Sequence, residues 1–165
     1  MFDYQPPADL LIHRFKAQSQ FALAPGLAAM LARAVQQRPG SWPHDVVLVP
    51  VPASRQSLVR RGFNPAAEVA RGLSDHLGWP CRPELLIRVA QGSKQALLNR
   101  EQRDMATAGL YRTTGPVGHT VAIVDDVMTT GSTFNSIARI LRRSGAVNVY
   151  ALVLARTPQP DQPVQ

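Results

Sequence analysis

Short apolar runs alternate with helical patterns over residues 45–155, and this alternation limits the folds open to the chain. Continuous apolar runs stand in residues 45–50 (DVVLVP) and 120–124 (TVAIV), as in strands buried on both faces of a parallel sheet. Helical patterns follow over residues 64–77 and 132–144, and a further strand pattern covers 147–155. This order predicts βαβ units with right-handed crossovers. We therefore expect an α/β fold with a parallel central sheet flanked by helices.

The remaining segments complete the expected domain organisation. Helical patterns over residues 8–18 and 22–37 predict a small N-terminal helical hood, which makes an N-terminal part of about 8–38 before a core of about 45–156. We expect a polar, basic loop at 51–63, a short strand at 85–87, a loop at 125–131, a mobile flap at 91–109 and a frayed tail at 157–165. No linker or internal repeat divides the 165 residues, so one domain is expected.

Composition indicates which partners the chain could bind and in which cellular compartment it would act. The net charge is +7, and every basic residue except Lys16 and Lys94 is an arginine, whose planar fork suits phosphate oxygens. This favours a polyanionic partner, although a codon bias toward arginine with a solvated surface explains the same counts. The one cysteine, Cys81, excludes an internal disulfide and a multi-cysteine zinc site, and a buried, inert thiol is expected. No apolar run could span a membrane and no secretory signal is evident, so we predict a cytoplasmic protein without membrane insertion.

The segment 121–133, VAIVDDVMTTGST, joins a strand, an acidic pair, a hydroxyl-rich loop and a helix start. The strand would deliver the loop to the carboxyl edge of the sheet, where ligands bind in open α/β folds. The helix N-terminus and loop hydroxyls favour a phosphate, and Gly131 allows close backbone approach. Asp125 and Asp126 suit ribose hydroxyls instead. The loop is neither a Walker A nor a dinucleotide motif; the alternative is an ordinary strand–turn–helix.

This segment resembles the signature of type I phosphoribosyltransferases, which binds phosphoribosyl pyrophosphate (PRPP). The resemblance implies that Asp125 and Asp126 are the catalytic residues and hold the ribose 2′- and 3′-hydroxyls. It also implies a cradle for the 5′-phosphate made of five residues, namely Thr129, Thr130, Gly131, Ser132 and Thr133.

Three further segments resemble one particular family of proteins with this signature. Residues 9–16 (DLLIHRFK), 49–64 (VPVPASRQSLVRRGFN) and 95–103 (QALLNREQR) are similar to the ComF family, the competence protein F group. Membership implies a role linked to DNA uptake in natural transformation, with proteins of the competence machinery as partners. Many proteins of this kind begin with a four-cysteine zinc ribbon, which this sequence lacks, so no zinc is expected.

Arginines and lysines near these segments are candidates for binding pyrophosphate. Residues 50–55 occupy the position of the pyrophosphate loop in type I enzymes, which suggests Arg55, and a basic turn adds Arg60 and Arg61. Lys94 and Arg100 are candidates in the flap, which would close over PRPP. Solvated arginines beside a proline turn, and an exposed helix with local ion pairs, are the alternatives.

Three functions remain open from the sequence. The first is an active phosphoribosyltransferase that displaces pyrophosphate from C1 of PRPP with a nitrogen nucleophile, the Mg²⁺ being carried by the ligand. The second is a PRPP or nucleotide sensor without turnover. The third is an adaptor that binds single-stranded DNA through Arg55, Arg60, Arg61 and the flap arginines, with stacking on Trp42 and Trp79 as an option beside simple packing of these rings.

Overall fold

The computed structural model describes residues 2–3, 5, 8–17, 20–89 and 109–157. The strands are β1 (Phe2–Asp3), β2 (Val46–Pro50), β3 (Leu86–Arg88), β4 (Tyr111–Thr113), β5 (Thr120–Met128) and β6 (Asn148–Arg156). The α-helices are α1 (Ala8–Ala17), α2 (Ala24–Gln36), α3 (Arg55–Arg61), α4 (Pro65–Leu77) and α5 (Ser132–Arg143). Short 3₁₀ turns cover Phe21–Leu23 and Pro83–Leu85. None of the helices in these described ranges is long and apolar enough to cross a membrane.

Four strands form a parallel sheet in the order β1-β6-β5-β2, which confirms the predicted α/β architecture. β5 is central and pairs with β2 on one side and β6 on the other. The register places Pro50 beside Val124, so β2 ends level with the residue that precedes the acidic pair. The loop after β2 and the acidic residues of β5 therefore meet at one edge of the sheet. A separate antiparallel pair, β3 and β4, stands beside this sheet.

Alternate residues of the central strands face two hydrophobic cores, which explains their uninterrupted apolar runs. Leu48 and Val124 pack with α1, α2 and α4 on one face. Val49 and Ile123 pack with α5 on the other. Of the two helices predicted to form a hood, α2 packs on α4 within a helical layer, whereas α1 reaches the edge of the sheet where the strands end.

Several local predictions are wrong, and each has a physical reason. The loop predicted at 51–63 contains α3. The Ser54 hydroxyl caps the start of this helix by accepting the N–H of Ser57, and Gly62 ends the helix at φ 79°. The loop predicted from Asp125 begins only after Met128, because β6 pairs with β5 as far as Arg156. β1 and β4 are two and three residues long, too short to show a pattern in the sequence. The strand predicted at 85–87 lies one residue later.

A close approach of α2 and α4 gives a prediction about stability. A Cβ atom added to Gly72 would lie 2.5 Å from Cβ of Ala28, which is a steric overlap between two helices. We expect Gly72→Ala to lower the free energy of unfolding by about 1–3 kcal/mol, although alanine is the better helix former. Urea denaturation measures this. The control is Gly26→Ala in α2, where a Cβ meets nothing within 4 Å and stability should hold or rise. Equal stability of the two variants would contradict this packing.

Candidate functional site

A cleft of about 250 Å³ opens where β2 and β5 end. The loop 51–54 and α3 form one wall, and the end of β5 with the start of α5 forms another. α1 and the β3–β4 pair complete it. Its side chains are mostly polar, and those used below are Lys16, Ser54, Ser57, Arg61, Asn64, Arg88, Tyr111, Asp125, Asp126 and Thr133. The cleft therefore gathers residues from seven helices and strands that are spread along the sequence.

The acidic pair forms the floor of this cleft. The Nζ atom of Lys16 lies 2.9 Å from Oδ1 of Asp126, whose side chain is 10% exposed. The main-chain N–H of Asp126 donates a hydrogen bond of 2.9 Å to Oδ1 of Asp125. Both carboxylates are thus held by the protein, and each keeps oxygen atoms that can accept further hydrogen bonds.

The electrostatic environment changes the pKa of Asp125. Burial, followed by the neighbouring charge of Asp126, raises the pKa of Asp125 to about 7. The Asp126 N–H and the Lys16 ammonium oppose this rise without overcoming it. Near neutral pH the pair therefore retains a proton that a solvated aspartate would have lost, and Asp125 can then donate as well as accept.

The loop after β5 prepares the start of α5. Gly131 adopts φ 76°, a left-handed conformation that suits glycine, and its carbonyl accepts the N–H of Asn135. The Thr130 hydroxyl donates to Oγ of Ser132 at 3.2 Å. A small cavity of about 30 Å³ adjoins the loop and is lined by Asp125, Val127, Met128, Thr129, Gly131, Ser132, Thr133 and Phe134. The N–H groups of the first turn of α5 point toward this loop, as they do at any helix N-terminus, and Gly131 offers no side chain to cap them. The Ser132 N–H bonds Oγ1 of Thr130 at 3.4 Å.

Asn64 holds the opposite wall in place. Its Oδ1 accepts the N–H of Ala66, which confirms the predicted helix cap. Its Nδ2 also donates to the Val51 carbonyl at 3.0 Å. The Val51 N–H in turn bonds the Val124 carbonyl at 2.9 Å, which extends the sheet by one hydrogen bond. The loop 51–54 is thereby fixed to both β5 and α4.

The structure brings together some of the predicted site residues and separates others. Asp125, Asp126 and Thr133 line the cleft, Thr129, Gly131 and Ser132 line the adjoining cavity, and Thr130 bonds within the loop. Of the arginines on α3, Arg61 lines the cleft. Arg55 and Arg60 are exposed and do not line the cleft. Residues 91–108 of the flap predicted at 91–109, which include Lys94 and Arg100, lie outside the described residues.

The tryptophans favour the packing interpretation. The ring centroid of Trp42 lies 5.2 Å from that of Trp79 and 4.9 Å from that of Tyr150. Its Nε1 donates to the Val35 carbonyl at 3.0 Å. Arg38 lies over the Trp42 ring at 4.7 Å. These contacts occupy both the ring and its donor, and they are remote from the cleft residues.

The sequence did not point to three polar residues of the cleft, whereas Ser54 belongs to the loop 50–55 that was predicted to bind pyrophosphate. Ser57 and Tyr111 gave no separate signal, and Tyr111 accepts a 3.4 Å hydrogen bond from Nη1 of Arg88. Lys16 did give one, since it is one of two lysines in a chain of arginines and ends the ComF-like segment 9–16. Its pairing with Asp126 spans 110 positions in the chain, which no local pattern records.

Comparisons with known proteins agree with this architecture. The model of the phosphoribosyl transferase domain family matches residues 18–165. The DNA utilization protein YhgH of Salmonella typhi is 35% identical over 158 residues, which cover 94% of this chain and 70% of that protein. Competence protein F of Haemophilus influenzae is 33% identical over 160 residues, which cover 93% and 69%. The chain therefore belongs to the phosphoribosyl transferase domain family, in the group that contains these two proteins.

Two solved structures show the same fold. The allosteric regulatory enzyme of purine biosynthesis superposes with a TM-score of 0.52 and 21% identity, over 81% of this chain and 26% of that one. The glutamine PRPP amidotransferase from B. subtilis, complexed with ADP and GMP, superposes with a TM-score of 0.51 and 19% identity, over 87% of this chain and 28% of that one. At these identities the likeness concerns the fold alone, and this chain spans only about a quarter of each structure.

Proposed function

We propose that the cleft binds the ribose 5-phosphate part of PRPP or of a nucleotide. The main support for the proposal is the position of the two carboxyl groups near the end of β5. Asp126 pairs with Lys16, Asp125 accepts the Asp126 N–H, and a short loop connects this strand to the N-terminus of α5. Ribose hydroxyls would donate to Asp125 and Asp126 on one side. The 5′-phosphate would accept from Thr129, Thr130, Ser132 and Thr133 and from the first N–H groups of α5 on the other.

A pyrophosphate on C1 would face the wall made by the loop 51–54 and α3. Ser54 and Ser57 offer hydroxyl donors there, and Arg61 offers a guanidinium. We therefore assign to Arg61 the pyrophosphate contact that the sequence also suggested for Arg55 and Arg60. Lys94 and Arg100 stay predictions for the flap.

The cleft residues do not fit a metal ion held by the protein alone. Among the described residues no three histidine, cysteine or acidic side chains cluster as metal ligands, and Lys16 already occupies one oxygen of Asp126. Mg²⁺ keeps most of its waters and needs few carboxylates when it is bound through phosphates. We propose that any Mg²⁺ at this site arrives on the ligand.

The reaction that this arrangement would serve is phosphoribosyl transfer. A nitrogen lone pair would form a bond to C1 of PRPP, the C1–O bond would break, and pyrophosphate would leave with that electron pair. The nitrogen would then lose its proton to solvent. Asp125 and Asp126 would position the ribose as positive charge grows at C1, and Arg61 would stabilise the leaving group. The relatives named for DNA utilization and competence support a role linked to DNA uptake in natural transformation.

A second candidate is binding of single-stranded DNA as an adaptor for the competence machinery. It is supported by Arg55 and Arg60, which are exposed and do not line the cleft, and by the net charge of +7. Nucleic-acid affinity of this kind falls steeply with salt. It would use a different surface from the ribose phosphate site, so the two functions are separable by experiment.

Calorimetric titration of the purified chain tests the first proposal. PRPP with Mg²⁺ is compared with ribose 5-phosphate, with pyrophosphate and with a single-stranded oligonucleotide. We expect PRPP to bind most tightly, ribose 5-phosphate more weakly and pyrophosphate more weakly still, because PRPP alone reaches both walls. Binding of the oligonucleotide without binding of PRPP would overturn the first proposal in favour of the second.

A further inference from the structure

Lys16 connects α1 to the acidic pair across the cleft. Its Nζ atom is 2.9 Å from Oδ1 of Asp126, and the two side chains are 27% and 10% exposed. The pairs Arg71–Glu68 and Arg82–Glu84 differ from it, because they join neighbours in the sequence at the surface. An ion pair shielded in this way interacts more strongly than a solvated one. Lys16 is therefore a cation that balances the charge of Asp126 in the free protein.

Buried side chains of α1 fix the helix that carries Lys16. Phe15, the residue before Lys16, is fully buried, and its ring centroid lies 5.7 Å from that of Phe63. Ile12, one turn earlier, is also buried. The helix is thus fixed against the core while the Lys16 side chain extends into the cleft. Lys16 lies two positions before the first residue that the family model matches.

The location of Lys16 also fits a specific part of the ligand. The inference rests on the proposed function, in which ribose hydroxyls reach Asp125 and Asp126. On a ribose ring, C1 and its substituent are next to the 2-hydroxyl, whereas the 5-phosphate lies at the opposite end. The Lys16 side chain lines the cleft together with Ser57 and Arg61, which belong to the wall assigned to the pyrophosphate, and it does not line the cavity beside the loop 129–131. Its three N–H donors can bond one carboxylate and one phosphate oxygen at once.

We propose that Lys16 is a specificity-determining residue, which selects ligands that carry a pyrophosphate on C1 over those with a ribose 5-phosphate alone. In the empty cleft its ammonium pairs with Asp126. When the ligand binds, the same ammonium contacts the pyrophosphate while the ribose hydroxyls bind the carboxylates. The site thereby recognises PRPP by a charge that the N-terminal helix supplies.

The test compares two ligands on matched variants. Lys16→Met and Lys16→Gln remove the charge but keep an unbranched side chain of similar length. Lys16→Arg keeps the charge. Arg14→Met is the control, because Arg14 is exposed on the same helix and its loss changes the net charge equally. Calorimetry gives the affinity for PRPP with Mg²⁺ and for ribose 5-phosphate, and circular dichroism verifies that each variant is folded.

We expect both neutral variants to lower the affinity for PRPP by at least about tenfold and the affinity for ribose 5-phosphate by no more than about twofold. Lys16→Arg should retain most of the preference for PRPP, and Arg14→Met all of it. An equal loss for both ligands would show a purely structural role and overturn the inference, as would no loss in either neutral variant. A wild-type chain that binds neither ligand would overturn the proposed function, and this inference with it.

Discussion

Replacing Asp125 and Asp126 together by asparagine is expected to lower the affinity for PRPP by at least about a hundredfold. Hydrogen bonds from neutral donors to a carboxylate contribute roughly 1.5–3 kcal/mol each, and the proposed complex uses at least two of them. The variant would also leave the Lys16 ammonium in the cleft without its partner on Asp126. Calorimetric titration with PRPP and Mg²⁺ measures the loss.

The control for this variant is Asp75→Asn on α4, which removes an exposed carboxylate that does not line the cleft. It should bind PRPP as the wild type does. Circular dichroism distinguishes a folded variant that has lost binding from one that has unfolded. Because burial raises the pKa of Asp125, the ionised form of this residue is the costly one in the folded protein. At pH 8 asparagine at position 125 should not destabilise the fold. A double variant that stays folded and binds PRPP within about threefold of wild type would refute the assigned site.

The second large effect is expected at Phe15, through stability. Its side chain is fully buried and contacts Phe63, so Phe15→Ala should leave a cavity between α1 and the core. Changes of this kind cost about 3–5 kcal/mol of the free energy of unfolding. Because a domain of this size has only about 5–15 kcal/mol in total, the midpoint of urea denaturation should fall clearly. The same change should loosen the helix that carries Lys16.

Phe21→Ala is the matched control for that substitution. Phe21 is the same residue type six positions later and is 66% exposed. Its replacement should change the free energy of unfolding by no more than about 0.5 kcal/mol. Similar midpoints for the two variants would mean that α1 is not docked on the core as described, and the position of Lys16 would then lose its support.

The parts of the fold that follow from the sequence are those with a local cause. β2 and β5 are buried on both faces, which makes their segments continuously apolar and easy to recognise. The Asn64 cap and the Gly78 stop of α4 are likewise encoded in single residues. α3 was missed because only seven residues form it and most of them are polar and exposed, so no apolar face indicates a helix.

The parts of the site that escaped prediction depend on contacts between distant segments. Asp125 and Asp126 were found because their motif is contiguous. Lys16 was not assigned to the site, since only folding brings α1 beside β5. The sequence also could not decide among Arg55, Arg60 and Arg61, because that choice requires the orientation of a helix where a loop was expected.

Removing one hydroxyl from the ligand tests most directly whether Asp125 and Asp126 bind the ribose hydroxyls. Affinities for ribose 5-phosphate and 2-deoxyribose 5-phosphate are measured on the wild type and on the Asp125→Asn/Asp126→Asn variant. The account predicts that the wild type prefers ribose 5-phosphate by about tenfold and that the variant has lost most of this preference. A wild type that binds both sugars equally, or a variant that keeps the full preference, would contradict it.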